Sequence, residues 1–163
     1  MIRCLATLAL LAAPAAHAAA QGPAPERWTL FHPLQSTTTY LIDDQGAVAH
    51  TWSGTASPGL AVYLQPDFGL LRTIKTVGGG VGGTGGGVQR VAWDGTVEWE
   101  FHYASADFLQ HHDALELPNG NVLLVAWEYL TRQEAIDAGR DPALLPGQVF
   151  APDHVVEVRP TGP

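Results

Sequence analysis

Two short β patterns alternate along this chain, and that alternation constrains its fold more than any other feature of the sequence. In the first pattern, residues 40–52 read as a strand, a turn on Asp43, Asp44, Gln45 and Gly46, and a second strand ending at Trp52. Residues 91–101 repeat it around Asp94 and Gly95 with Trp99 in the outgoing strand, and residues 154–159 supply the incoming strand of a third copy ahead of Pro160-Thr161-Gly162. The second pattern is a hairpin with a polar tip, in residues 61–71 around Pro66-Asp67-Phe68-Gly69 and again in residues 114–124 around Pro118-Asn119-Gly120-Asn121. Turn residues at fixed offsets between period-2 apolar runs are the signature of paired antiparallel strands.

With the second hairpin type labelled A-B and the first C-D, the chain reads C-D, A-B-C-D, A-B-C. Leu64 to Leu117 spans 53 residues and Gly46 to Gly95 spans 49, near the roughly 40–50 residues of a four-stranded propeller blade. The expectation is an all-β, partial β-propeller of two to three four-stranded blades over residues 38–163, preceded by a lead-in at residues 21–37. A β-sandwich has a similar strand density, but the alternation favours the propeller. Because the third copy stops at its turn and a closed propeller takes about 4–8 blades, the sequence reads as the N-terminal part of a longer protein. Bare sheet edges should make it aggregation-prone when made alone.

Residues 1–20 read as an export signal, with Arg3 as the positive start, an apolar run from Leu5 to Ala13 and a small-residue cleavage site at Ala16-His17-Ala18. The run is too short to span a bilayer, and the only cysteine, Cys4, lies inside the signal. A periplasmic or secreted protein without membrane anchor, disulfide or thiol chemistry is expected. Removing 20 residues leaves 143 with a net charge of −9, which argues against nucleic-acid binding, since polyanions are bound through a basic surface. Nothing in the sequence fixes an oligomeric state.

Two segments interrupt the β pattern. The glycine run at residues 78–87 contains a formal G-x-G-x-x-G, but no helix follows it, so a mobile B-C loop is expected rather than a nucleotide cradle. Thr131-Arg132-Gln133-Glu134 matches a capping box and predicts a short helix from Arg132 to Ala138, ended by Gly139, with Asp141-Pro142 starting a second turn.

His111-His112-Asp113 opens an A strand, the innermost strand of a blade, where side chains line a central channel. Adjacent residues of an extended chain point to opposite sides, so one imidazole, His112, is expected to face the channel while His111 packs, with Asp113 able to fix a tautomer. Two contiguous histidines converge poorly on one ion and no third ligand sits at a recognised spacing, so no metal or other cofactor is expected. His50 and His102 end D strands and read as structural; His154, with Asp153, reads as a cap or turn that can meet the helical insertion. Trp52, Trp93, Trp99 and Trp127 read as interblade packing, their indole nitrogens partnered.

Taken together, the Asp-Gly turns with their tryptophans, the glycine run leading into Val88-Gln89-Arg90-Val91-Ala92-Trp93, the His111-His112-Asp113 block with Leu117-Pro118-Asn119-Gly120-Asn121, and residues 153–162 resemble the N-terminal part of bacterial arylsulfotransferase-like propeller proteins. The resemblance covers residues 38–162, and the histidine block is its most specific part. It implies transfer of a sulfuryl group from an aryl sulfate ester to a phenolic acceptor through a sulfohistidine. It further implies that His112 is a channel histidine that binds or orients the sulfate, with His111 and Asp113 in support, and that the nucleophilic histidine belongs to a later blade, beyond residue 163. Arg90, or Arg72, would make an acidic domain locally positive for the anionic substrate, although each reads more readily as a solvated strand residue. Two rivals stand beside this reading: a non-catalytic propeller that binds a ligand or protein, and a quinoprotein-like propeller suggested by Asp94-Gly95-Thr96-Val97-Glu98-Trp99.

Overall fold

The computed structural model describes residues 27–78, 82–145 and 147–161; the proposed leader and Cys4 lie outside the described residues. The structure is all-β, built of antiparallel sheets, none of which closes on itself. The first sheet holds β1 (Thr29–Phe31), β2 (Thr38–Ile42) and β3 (Val48–Ser53). The second is a four-stranded meander of β4 (Ser57–Leu64), β5 (Leu70–Lys75), β6 (Gly86–Val91) and β7 (Val97–His102). The third has β8 (Phe108–Glu116), β9 (Val122–Glu128) and β12 (Asp153–Val158) in the order β12-β9-β8.

Between β9 and β12 lies the insertion: β10 (Leu130–Thr131), α1 (Arg132–Asp137) and β11 (Val149–Phe150), with β10 and β11 paired. The helix starts where the capping box expects it, the Thr131 side chain accepting from the Glu134 amide while the Glu134 carboxylate accepts from the Thr131 amide. Among the described residues no helix is long and apolar enough to cross a membrane.

Local chemistry explains the strand ends. At the β6–β7 turn the Asp94 carboxylate accepts from the Thr96 amide at 2.9 Å and Gly95 adopts φ +91°, a left-handed conformation that glycine reaches without steric cost. Three strands lie outside the sequence expectation: the paired β10 and β11 of the insertion, and β1, contributed by the lead-in, which pairs with β2 from Thr29↔Ile42 to Phe31↔Tyr40.

The sheets stack through two apolar layers. Leu41 and Trp52 of the first sheet pack on Leu70 and Val91 of the second. Leu71, Val88 and Trp99 of the second pack on Ala114, Val122 and Leu124 of the third. Each fully buried Leu or Val here removes about 1.5–3 kcal/mol of side-chain surface free energy from water. Trp52 and Trp99 are packing residues as expected, but the Trp52 indole nitrogen is buried without a partner. Trp93 is 42% exposed and lies flat on His50, whose Nε2 donates to the Trp93 carbonyl at 2.8 Å.

Candidate functional site

The site begins with an interruption of the β8–β9 ladder. Pairing runs from Phe108 to Gln110, breaks, and resumes at Ala114, so residues 111–113 form a bulge. Within it His112 takes φ +51°, a left-handed conformation that a non-glycine residue rarely adopts. The fully buried Gln110 staples the bulge: its Nε2 donates to the His111 carbonyl at 3.0 Å and the Asp113 carbonyl at 3.3 Å, while its Oε1 accepts from the Gly86 amide at 2.9 Å.

The described part of the glycine run closes over this bulge, which corrects the reading of that run as a free B-C loop. Thr84 bridges to His111, the Gly85 amide donates to the Gln110 carbonyl at 3.2 Å, and the His112 amide donates to the Gly83 carbonyl at 2.9 Å. Glycine is required here by space. A Cβ on Gly83, itself at φ +93°, would stand 2.0 Å from His112 Cε1, and one on Gly85 would stand 2.3 Å from Gln110 Oε1.

The bulge overturns the expectation that the two imidazoles point to opposite sides. Positive φ at His112 turns its ring back toward its neighbour, and the two Nδ1 atoms stand 2.8 Å apart with the rings nearly perpendicular. His111 is 5% exposed, lies flat on the Trp127 indole at 4.1 Å, and places Nε2 3.0 Å from the Asp153 carboxylate; His112 is exposed. Burial holds the His111 imidazole below the ordinary histidine value, against the opposing pull of Asp153, and the neighbouring His112 and His154 add to the lowering.

The partners fix the protons of the neutral pair. A carboxylate oxygen only accepts, so His111 carries its proton on Nε2 and donates to Asp153. Its Nδ1 then accepts from His112 Nδ1–H, which leaves the lone pair of His112 on Nε2, on the ring edge that lies beside Gly83. The chain Asp153–His111–His112 therefore delivers one unspent acceptor, able to take a proton or meet an electrophile, and its imidazolium form becomes an Nε2–H donor.

The other expected site residues fall elsewhere. Asp113 bonds neither imidazole; its Oδ1 accepts from the Tyr63 hydroxyl at 2.9 Å and the Ala114 amide at 2.8 Å, and the tautomer-fixing role belongs to Asp153. Arg90 lies toward the far end of β8, where its guanidinium meets Glu116, Asp67 at 2.7 Å and Glu98 at 3.5 Å. Partial burial works against its charge, but Glu116 and Asp67 outweigh that and hold its pKa above the ordinary guanidinium value. Arg72 is 2% exposed, so neither arginine is a solvated strand residue; Arg72 Nε donates to Gln89 Oε1 at 2.9 Å and its Nη1 is without a partner. His102 pairs with Glu100, and His154 Nε2 lies 3.2 Å from the Tyr103 hydroxyl. His154 and Glu134 of α1 both line one cleft of about 600 Å³, while the contact of the His154 ring is to Tyr103. Among the described residues no group of three or more His, Cys, Asp or Glu side chains is arranged to hold a metal ion.

Sequence reasoning missed Asp153, Gln110 and Gly83 as parts of the site and read Trp127 as packing alone. Register could have found two of them, since Leu109, Trp127 and Asp153 lie in one cross-strand row of the third sheet. Comparisons with family models, with curated proteins and with solved structures find no match for this chain.

Proposed function

We propose that the three stacked sheets are successive blades of an exported, arylsulfotransferase-like β-propeller, and that the Asp153–His111–His112 chain serves transfer of a sulfuryl group from an aryl sulfate ester to a phenol. The carrying observation is the 2.8 Å contact between the two Nδ1 atoms, backed by Asp153 at 3.0 Å. It gives His112 the chemistry that sulfuryl transfer asks of a histidine beside the sulfate. The Nε2 lone pair accepts the acceptor phenol's proton as the phenol oxygen bonds to sulfur and the S–N bond of the sulfohistidine breaks, returning that imidazole with its electron pair. The resulting His112 imidazolium, its charge shared toward Asp153 through His111, donates from Nε2 to the sulfuryl oxygens. Two features support the propeller part of the reading: β4–β7 form a consecutive meander, and β8 packs beside β4, as the first strands of neighbouring blades would. Arg90, already paired with carboxylates, takes no part in this reading.

Because the nucleophilic histidine of this reading belongs to a later blade and residues 1–163 alone are expected to be inactive, the experiment is release of nitrophenol from nitrophenyl sulfate with and without a phenol acceptor, on the full-length protein that carries the later blades and on its His112→Ala variant. Acceptor-dependent release that falls by about a hundred- to a thousandfold in the variant is expected for loss of one charge-stabilising donor. Undiminished activity in the variant removes His112 from the site. No acceptor-dependent release from the unaltered protein favours a non-catalytic binding propeller.

A further inference from the structure

The junction between the second and third sheets holds a cleft at the end where the insertion leaves β9. Val122 and Leu124 of β9 and Val156 and Val158 of β12 pack toward the second sheet. Strand alternation carries the same face on to Glu128 of β9 and His154 of β12, with Phe108 of β8 beside Glu128. Tyr103, just past β7, closes the space from the second sheet: its ring stacks on Phe108 at 4.1 Å and its hydroxyl lies 3.2 Å from His154 Nε2. The turn before β8 and the insertion supply the other walls, Asp107 with Tyr129, whose amide donates to the Asp107 carbonyl at 2.7 Å, and Glu134 of α1. Both sheets of this junction and the insertion are described, so these walls depend on no further strand.

The lining is aromatic and acidic at once. Three aromatic rings and the carboxylates of Asp107, Glu128 and Glu134 border a space of about 600 Å³, a volume in the range of small-molecule sites. No Lys or Arg lines it. The arginines of the insertion are engaged elsewhere, Arg132 donating to the Pro142 carbonyl at 3.1 Å and Arg140 lying over the Phe150 ring at 5.2 Å. Glu134 accepts from the Thr131 amide as a helix cap and adds charge alone. The Asp107 and Glu128 side chains are exposed and have no hydrogen-bond or ion-pair partner among the described residues. What complements such a cleft is a cation with a flat or apolar body, drawn by the carboxylates and held against the ring faces. An aryl sulfate, itself an anion, meets like charge here.

We propose that this cleft binds an organic ammonium ion with an aromatic or alkyl body, its charge toward Asp107 and Glu128 and its body against Tyr129 and the Tyr103–Phe108 stack. The site is separate from the Asp153–His111–His112 chain, because the same alternation puts Asp153 and Trp127 on the opposite face of the third sheet. The proposal stands on the cleft and not on the sulfuryl-transfer reading.

The test is a binding measurement that needs no enzymatic activity. Phenethylammonium is the probe and hydrocinnamate the anion of the same shape, each titrated into the full-length protein by calorimetry and by ligand-observed NMR. Saturable binding of the ammonium and none of the anion is expected. Asp107→Asn and Glu128→Gln should each weaken binding by about two- to fivefold, with unchanged far-UV circular dichroism because both positions are exposed. Tyr129→Leu, which removes a ring face from the cation, should weaken it by about the same factor, and ~1 M salt should weaken it again. Equal binding of the two probes overturns the proposal, as does binding that neither carboxylate variant weakens. Absence of ammonium binding overturns it too, and would mean that another part of the full-length protein fills the cleft or that the carboxylates serve solubility alone.

Discussion

The two ends of β8 hold polar clusters of opposite character. At one end, the buried His111 ring lies flat on Trp127, the glycine strap bridges to its backbone, and the cluster closes on Asp153. At the other, Arg90 is surrounded by Asp67, Glu98 and Glu116. The arginine carries the charge that an anionic substrate would seek, yet its donors face three carboxylates. In the neutral histidine pair each N–H donor meets one acceptor, and of the imidazole nitrogens only His112 Nε2 keeps its lone pair. Unspent hydrogen-bonding capacity, and not charge, distinguishes the candidate site from the structural network.

The sharpest way to break this comparison is to disturb the strap. Gly83→Ala introduces a Cβ 2.0 Å from His112 Cε1 at a backbone φ of +93°, and the combined strain and overlap should lower stability by about 2–3 kcal/mol. Denaturant unfolding measures the loss, and histidine NMR shifts should show His112 displaced while the Arg90 end is unchanged.

Arg90→Leu tests the opposite end with a smaller effect. Its carboxylate partners are partly exposed, Asp67 at 58% by side chain, so screening leaves a loss of about 1 kcal/mol. That difference should shrink in ~1 M salt, and the His111 and His112 resonances should stay in place. Movement of the histidine resonances would show that the two ends are coupled.

The smallest expected effect is one of pH. Burial lowers the His111 pKa, so the folded protein binds fewer protons there than the unfolded chain does. Stability from this group is complete above the ordinary histidine value of about 6.5 and declines as pH falls below it. Unfolding midpoints should fall through that window for the unaltered protein and flatten in His111→Phe.

Much of the fold was legible because its signals are local. The Asp94-Gly95 turn, the Thr131–Glu134 capping box and the alternating strands each declare themselves within a few residues. The site was legible only in part. His111 and His112 stand out as a pair, but the partner that orders them, Asp153, is 42 residues away and is brought in by the pairing of β8, β9 and β12. Nor does the sequence mark the left-handed His112, whose conformation depends on Gln110 and the Gly83 strap. Arg90 misled for the same reason: its carboxylates at positions 67 and 116 come from other strands and turns.

The most direct test of the account is the tautomeric state of the two imidazoles, read by long-range proton–nitrogen NMR on histidine-labelled protein above the ordinary histidine value. His111 should carry its proton on Nε2 and His112 on Nδ1, with Asp153→Asn disturbing the first and, through it, the second. A neutral His112 that holds its proton on Nε2 would present a donor in place of the lone pair and contradict the account.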